Sequence, residues 1–522
     1  MAPEELPMVK NLRRASQALF VLLFLWLFLQ TESKGANELG YPVKVFLDAD
    51  PLLFLTTLFA NRALPPALWL ALTVVVATAV LGRVFCGWVC PLGAFHDLAG
   101  LLKTKARQKA LPQGLFRIKY YLLIALLASS LFTLQAAGIF DPLSLLIRSL
   151  AISVYPMFSS ATASVFNAAY EAKIPILGGI SEAGYSLLKK TLLPFQEGLY
   201  LGAVLVGVLF FLILALNLVE RRFWCRYLCP LGALLGLIGR RAIVRRSVSE
   251  GCNECGACEA GCHGGALPGS KELWRIEECH LCGNCQDACP NDAVRFGLSP
   301  GRIPGRFDLG RRRLVTSFSA GLLAVPLLRV TPLSRAGAAD PALIRPPGAT
   351  PEPEFLRRCV KCGECMKVCI TGGLQPTFLQ AGLEGIWSPV LVPRIGYCEH
   401  RCTLCGQVCP TGAIRNLPLE EKMEIRIGTA MIDKGRCLPF ASATPCLVCE
   451  EVCPTSKKAI WLEDARVKNR DGREILVRQP HVDLSLCIGC GICEARCPVL
   501  GRPAIYVSSV GETRSKDNRL LL

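Results

Sequence analysis

The chain has 522 residues, 52% of them hydrophobic, with 28 cysteines and a formal net charge of +17. Such a length allows three or four domain-sized units, and the apolar content points to membrane segments rather than to a small disulfide-stapled secreted scaffold. The positive charge comes without an aromatic-plus-basic RNA-binding signature, so no nucleic-acid partner is expected; Lys and Arg gathered beside membrane helices and beside net-negative clusters account for it.

In chain order, the first apolar run is Ala15–Gln30, preceded by Lys10, Arg13 and Arg14. No small-x-small cleavage site follows it, so it reads as a transmembrane helix with a cytoplasmic N-terminus. Further spans are expected at Ala67–Leu81, Lys119–Ala136 and Tyr200–Val219, near the ~20 residues a bilayer requires. Arg83, Lys103, Lys105, Arg107, Lys109, Arg117 and Lys119 assign the loop between the second and third spans to the cytoplasm. Arg221, Arg222, Arg226, Arg240, Arg241, Arg245 and Arg246 do the same after the fourth. The first half also repeats. Cys86–Ala94 (CGWVCPLGA) returns as Cys225–Ala233 (CRYLCPLGA), and Asp50-Pro51-Leu52 returns as Asp141-Pro142-Leu143. Each half therefore reads span, D-P-L segment, span and C-x3-C-P-L-G, an arrangement expected to pack about a pseudo-two-fold axis along the membrane normal.

The four repeat cysteines Cys86, Cys90, Cys225 and Cys229 admit a four-thiolate site, two disulfides, a transient metal site or plain burial. Duplication of the whole C-P-L-G context favours a redox or metal role. Asp50 and Asp141 read either as helix-start residues before proline or as proton acceptors beside a quinol headgroup. His96 is a further candidate proton carrier.

The other 24 cysteines form six quartets. Cys252, Cys255, Cys258 and Cys262 come first, then Cys279, Cys282, Cys285 and Cys289. Later come Cys359, Cys362, Cys365 and Cys369; Cys398, Cys402, Cys405 and Cys409; Cys437, Cys446, Cys449 and Cys453; and Cys487, Cys490, Cys493 and Cys497. In C-x2-C-x2-C-x3-C three thiolates wrap one [4Fe–4S] cube and the fourth ligates a neighbour. Zinc knuckles share the C-x2-C pair but seldom the rest of the spacing. About six cubes are therefore expected, all 24 cysteines acting as iron ligands. The spacing leaves open which of the last four quartets exchange their fourth ligand.

Between the second and third quartets lies Gly310–Val330, with Arg311, Arg312 and Arg313 ahead of a weakly apolar stretch. It reads as a twin-arginine-like export signal, as a fifth span, or as a basic linker and buried helix; the basic start and apolar core favour export. Five segments follow: 1–245, a transmembrane module with two C-x3-C-P motifs; 246–304, a two-cluster ferredoxin-like domain; 305–335, the signal or anchor helix; 336–353, a Pro-rich linker; and 354–522, a four-cluster domain. The expected fold class is an α-helical membrane domain of four spans plus a fifth anchor or signal helix, joined to α+β ferredoxin-like [4Fe–4S] domains.

With these motifs, residues 1–300 resemble the NapH and MauN membrane ferredoxin-type proteins, and residues 305–522 resemble NapG and MauM, so that the chain looks like a NapH–NapG fusion in the quinol dehydrogenase family of polyferredoxins. The first pair of quartets resembles a bacterial two-cluster ferredoxin, which implies that Cys289 completes the cube of the first triplet and Cys262 that of the second. The resemblance implies a multi-pass protein of the inner (cytoplasmic) membrane with a periplasmic C-terminal domain. It implies electron transfer from the membrane quinone pool, with quinol as substrate, to a periplasmic reductase or cytochrome, with room for a further membrane subunit. The alternative is a maturation factor similar to the CcoG-type proteins, reducing a metal for insertion into a respiratory enzyme.

Overall fold

The computed structural model describes residues 8–33, 35, 37–64, 68–100, 112–171, 175–194, 198–267, 274–298, 308–329, 340–468, 472–515 and 518. Lys103, Lys105, Arg107 and Lys109 of the expected cytoplasmic loop lie outside the described residues, as do 305–307 and 330–335 of the expected signal segment and 336–339 of the linker. The chain divides into two compact units, one made of Met1–Leu29, Pro42–Ser149 and Leu205–Leu327, the other of Gln30–Tyr41, Leu150–Val204 and Leu328–Leu522.

Three helices among the described residues are long and apolar enough to cross a membrane: Val9–Gln30, Gly114–Leu131 and Pro142–Glu171. The first two fall on expected spans. The expected spans at Ala67–Leu81 and Tyr200–Val219 form shorter apolar helices, Trp69–Leu81 and Ala203–Leu218. Pro142–Glu171 was not expected as a span, because Arg148 and several serines dilute its apolar run. Two of those polar groups are satisfied locally: Ser149 Oγ donates to Leu145 O at 2.7 Å and Arg148 Nη1 to Gly138 O at 3.1 Å. Self-satisfied polar groups let a helix keep an apolar outside.

In the first unit the Pro230–Gly239 helix packs on the Leu68–Leu81 and Ile118–Leu131 helices. Small residues permit this approach: a Cβ on Gly239 would stand 3.3 Å from Gly82 Cα. The Arg311–Arg329 helix uses the same device. Gly321 is its one buried residue, and a Cβ there would lie 2.2 Å from Ala125 O. Tyr121 Oη also donates to Leu309 O at 2.7 Å. This segment therefore packs intimately on the Ile118–Leu131 helix. The strands Val244–Val248 and Val294–Leu298 pair antiparallel, Val244 opposite Leu298, and frame the first two quartets.

The second unit carries the other four quartets. Its strands pair as Leu374–Pro376 with Pro389–Leu391, Thr429–Ile432 with Ile505–Ser508, and Ile460–Lys468 with Glu474–Val482, all antiparallel. Two earlier segments, Gln30–Tyr41 and the stretch at Tyr200, dock on this domain. Lys367 Nζ donates to Thr31 O at 3.1 Å, Gln407 Nε2 to Asn37 O at 2.7 Å, and Tyr200 Oη to Met366 O at 3.0 Å.

Candidate iron–sulfur and redox centres

Each triplet wraps by the same local device. In four quartets the residue after the second cysteine is a glycine with positive φ, at Gly256 (73°), Gly283 (75°), Gly363 (88°) and Gly491 (81°). A short helix carrying the third cysteine starts there. Only glycine takes this left-handed turn without strain. The two quartets with longer first gaps turn differently: Thr403 and Leu447 hold the matching place with φ of −122° and −121°, so no glycine is required.

The turns bring together sets of four thiols that mix two quartets. Cys289 packs beside Cys258, and Cys262 beside Cys279. In the second unit, Cys359, Cys362 and Cys365 line one cavity with Cys409. Cys398, Cys402 and Cys405 instead lie within electrostatic reach of Cys369. Cys437, Cys446 and Cys449 share a cavity with Cys497, and Cys487, Cys490 and Cys493 share one with Cys453. The third and fourth quartets thus exchange their last cysteine, and so do the fifth and sixth. The two pairs meet where Cys398 N donates to Cys490 O at 2.8 Å.

The chemistry of these sets suits a cationic cluster. The cavities are walled by apolar side chains, for instance Phe355, Met366, Val408 and Ile414 around Cys359. Backbone N–H groups are aimed at sulfur: Ala266 N at Cys262 and Ala293 N at Cys289, both 3.3 Å, and Ile414 N at Cys409 and Ala430 N at Cys487, both 3.4 Å. Burial, with the neighbouring thiolates Cys437 and Cys446, pushes the Cys449 thiol up to about 12. Several thiolates so close together, away from water, ionise only around positive charge such as iron.

The duplicated membrane motifs also converge. Phe85–Val89 and Trp224–Leu228 are each a single π-helical turn, closed by Cys90 N to Phe85 O at 2.8 Å and Cys229 N to Trp224 O at 2.9 Å. Isolated π turns recur at functional sites. In each, the second cysteine then starts a new helix with proline first, Pro91–Ala99 and Pro230–Gly239.

Around the thiols stand charged groups, three of which, Arg83, Lys119 and Arg222, the sequence marked only as cytoplasmic-loop charges and the fold buries. Arg83, 1% exposed, donates to Glu278 Oε2 at 3.0 Å and Glu277 O at 2.9 Å. Lys119 and Tyr120 converge on the same Glu278 carboxylate. Arg222, equally buried, pairs with Asp97 at 2.6 Å and reaches Cys86 O at 3.2 Å and His280 Nδ1 at 3.1 Å. Burial pushes the Asp97 carboxyl up, yet Arg222 and His263 together hold it well below the usual carboxylate range. A signal for both arginines was present: Arg83 and Arg222 each stand three residues before the first cysteine of their repeat. His96 is buried, its Nδ1 2.6 Å from Asn217 Nδ2.

Asp50 and Asp141 are fully buried helix N-caps. Asp50 Oδ1 accepts from Leu52 N at 2.8 Å and Leu53 N at 3.2 Å, and Asp141 Oδ2 accepts from Ser144 N at 2.7 Å. That is the helix-start role of such residues. The repeat adds something a lone cap lacks, because the two buried carboxyls lie within electrostatic reach of each other. Two carboxyls in that relation share a proton.

Comparison with known proteins agrees with this construction. A family model described as "4Fe-4S binding domain" matches residues 63–109 and 200–249, and another of the same description matches 274–295 and 480–500. The chain is 31% identical over 219 residues to the methylamine utilization ferredoxin-type protein MauN of Methylorubrum extorquens, covering 40% of this chain and 58% of MauN. It is 36% identical over 135 residues to the ferredoxin-type protein NapG of Escherichia coli, covering 25% of this chain and 58% of NapG. It is 30% identical over 264 residues to the ferredoxin-type protein NapH of Haemophilus influenzae, covering 48% of this chain and 74% of NapH. The chain spans about three-fifths of the length of the MauN proteins it matches. No solved structure matches it. It is a ferredoxin-type electron-transport protein with multiple 4Fe–4S motifs and membrane helices. From its match to most of NapH, the chain belongs to the NapH family of ferredoxin-type proteins.

Proposed function

We propose that this protein oxidises quinol in the membrane and passes the electrons to a periplasmic reductase or cytochrome. The observation that carries the reading is the serial contact of the thiol sets in the second unit. The Cys359 set exchanges a ligand with the Cys398 set, the Cys398 set touches the Cys487 set through the Cys398–Cys490 hydrogen bond, and the Cys487 set exchanges with the Cys437 set. A [4Fe–4S] cube, when bound, takes up and gives up one electron at a time. The chain's own part is to hold such groups in a row, wall them from water and aim N–H groups at their sulfurs, which tunes their potential.

Quinol gives up two electrons and two protons. The buried Asp50–Asp141 pair supports a base for one of those protons, since Asp50 Oδ2 and Asp141 Oδ1 take no part in the cap hydrogen bonds and, among the described residues, have no hydrogen-bond donor. The docking of the four-quartet domain on residues 31–37 and on Tyr200 supports a periplasmic C-terminal domain. By the positive-inside rule, the chain leaving the first span and entering the fourth runs on the non-cytoplasmic side.

The test is anaerobic quinol oxidation by the full chain with an artificial acceptor. We expect turnover in the parent protein and a loss of 10²-fold or more in Asp141→Asn with iron content unchanged, the ordinary scale for removing a positioned base. An iron-loaded protein with no quinol turnover would instead favour metal reduction for maturation of another enzyme.

A further inference from the structure

The two membrane motifs pose a stoichiometric question. Each 4Fe–4S family match in the membrane region contains only one cysteine pair, Cys86 and Cys90 in 63–109 and Cys225 and Cys229 in 200–249. A cube takes four thiolates, so neither segment completes a site alone. We propose that Cys86, Cys90, Cys225 and Cys229 together hold one further iron–sulfur cube, shared between the repeats, in addition to those of the six quartets.

The thiols of the two repeats lie near one another. Cys90 lies within electrostatic reach of Cys86 and of Cys225 in the other repeat, and Cys229 within reach of Cys225, Cys86 and Cys90. The second cysteine of each motif caps its π turn and sits at a helix N-terminus, where Gly232 N donates to Cys229 Sγ at 3.2 Å. A Cβ on Gly232 would stand 2.7 Å from Arg83 Nη2 and 3.4 Å from Cys229 Sγ, so only glycine leaves the guanidinium room beside the sulfur.

Charge separates this reading from the alternatives. Arg83 is buried, yet its Nε and Nη2 have no hydrogen-bond partner among the described residues. In the ion pairs that surround the motifs, four basic groups, Arg13, Arg83, Lys119 and Arg222, face two carboxylates, Asp97 and Glu278, an excess of two positive charges within that set; the buried Glu277 lies beside Arg240 and Arg275, and Glu220 pairs with Arg226. Disulfides or neutral thiols would leave that excess and the two idle donors uncompensated, at considerable cost. Four thiolates around a cube carry net negative charge and sulfur acceptors that answer both.

The position also gives the site an outlet. A Cβ on Gly87 would lie 2.6 Å from His280 O, and Trp88 Nε1 donates to Leu281 O at 3.1 Å. The motif thus rests on the loop between Cys279 and Cys282, and Arg222 lies within electrostatic reach of both Cys225 and Cys282. The inference holds whichever donor supplies the electrons.

The experiment compares iron and acid-labile sulfide in the anaerobically purified full chain and in its Cys86→Ser/Cys225→Ser variant. Seven cubes hold about 28 iron atoms and six hold about 24. We expect about 28 in the parent and about 24 in the variant, with the remaining paramagnetic signals intact. About 24 in both would overturn the proposal. Should the variant not accumulate, spin quantitation of the fully reduced parent decides: a seventh reducible centre supports the proposal, and six contradict it.

Discussion

Arg345 shows what a single buried charge demands in this protein. Its side chain is fully buried, pairs with Glu352 at 2.5 Å and donates to Ser388 Oγ and Pro389 O. Arg514 reaches the same carboxylate at 2.8 Å. Glu352→Ala leaves the buried Arg345 without its carboxylate, while Arg514 keeps Glu512 at 2.6 Å, and we expect a loss of about 3 kcal/mol, the scale for breaking a buried ion pair from one side, seen as a lowered Tm with cluster signals retained before unfolding. Burial pushes Glu352 up, but Arg345 and Arg514 hold it below the ordinary glutamate value. A depressed carboxyl stabilises the fold above its unfolded-state pKa and loses that contribution as acid protonates it. The parent's Tm should therefore fall on acidification through that range, and Glu352→Gln should flatten the dependence. Residues of this kind were poorly legible in the sequence. Cysteines announce themselves by spacing, whereas Arg345 and Glu278 acquire roles only from what the chain folds against. Arg83 and Arg222 lie between these cases, legible once the repeat is extended three residues upstream.

Elements built on repeated turns were the easiest to foresee. The C-x2-C-x2-C spacing specified the wrap of the triplets, because the turn is local, while the fourth-ligand exchange of the first two quartets came only from their resemblance to a two-cluster ferredoxin. The missed element, Pro142–Glu171, was obscured by serines and an arginine, some of whose hydrogen bonds are satisfied close by, which no hydropathy count registers. Glycines at close approaches test the element scale. Gly256 has open space around it and only its φ of 73° to protect, so Gly256→Ala should cost about 1 kcal/mol. A Cβ on Gly428 would fall 2.1 Å from Ser508 O, beside the Thr429–Ile432 and Ile505–Ser508 strands, so Gly428→Ala should cost about 3 kcal/mol or more. Thermal unfolding of the two variants should preserve that order. Gly321→Leu should detach the Arg311–Arg329 helix from Ala125, read as new protease sensitivity near residue 310 in the intact membrane protein.

For the whole molecule, pairing of the last four quartets was not legible in the spacing, since ligand exchange between separate quartets depends on tertiary contact. The fold supplies the pairing and puts the sets in series. Topology remains an expectation with a direct check: reporter fusions after Gly301 and after Thr350 should report opposite sides of the membrane, and fusions on one side would exclude a crossing at the Arg311–Arg329 helix. All of this presumes that the converging thiols bind iron and sulfide. Electron paramagnetic resonance of the anaerobically purified full chain, before and after dithionite, addresses that most directly. The account predicts a brown protein that develops signals of several interacting reduced [4Fe–4S] centres; a colourless protein with zinc in place of iron and no reducible paramagnetic centre would contradict it.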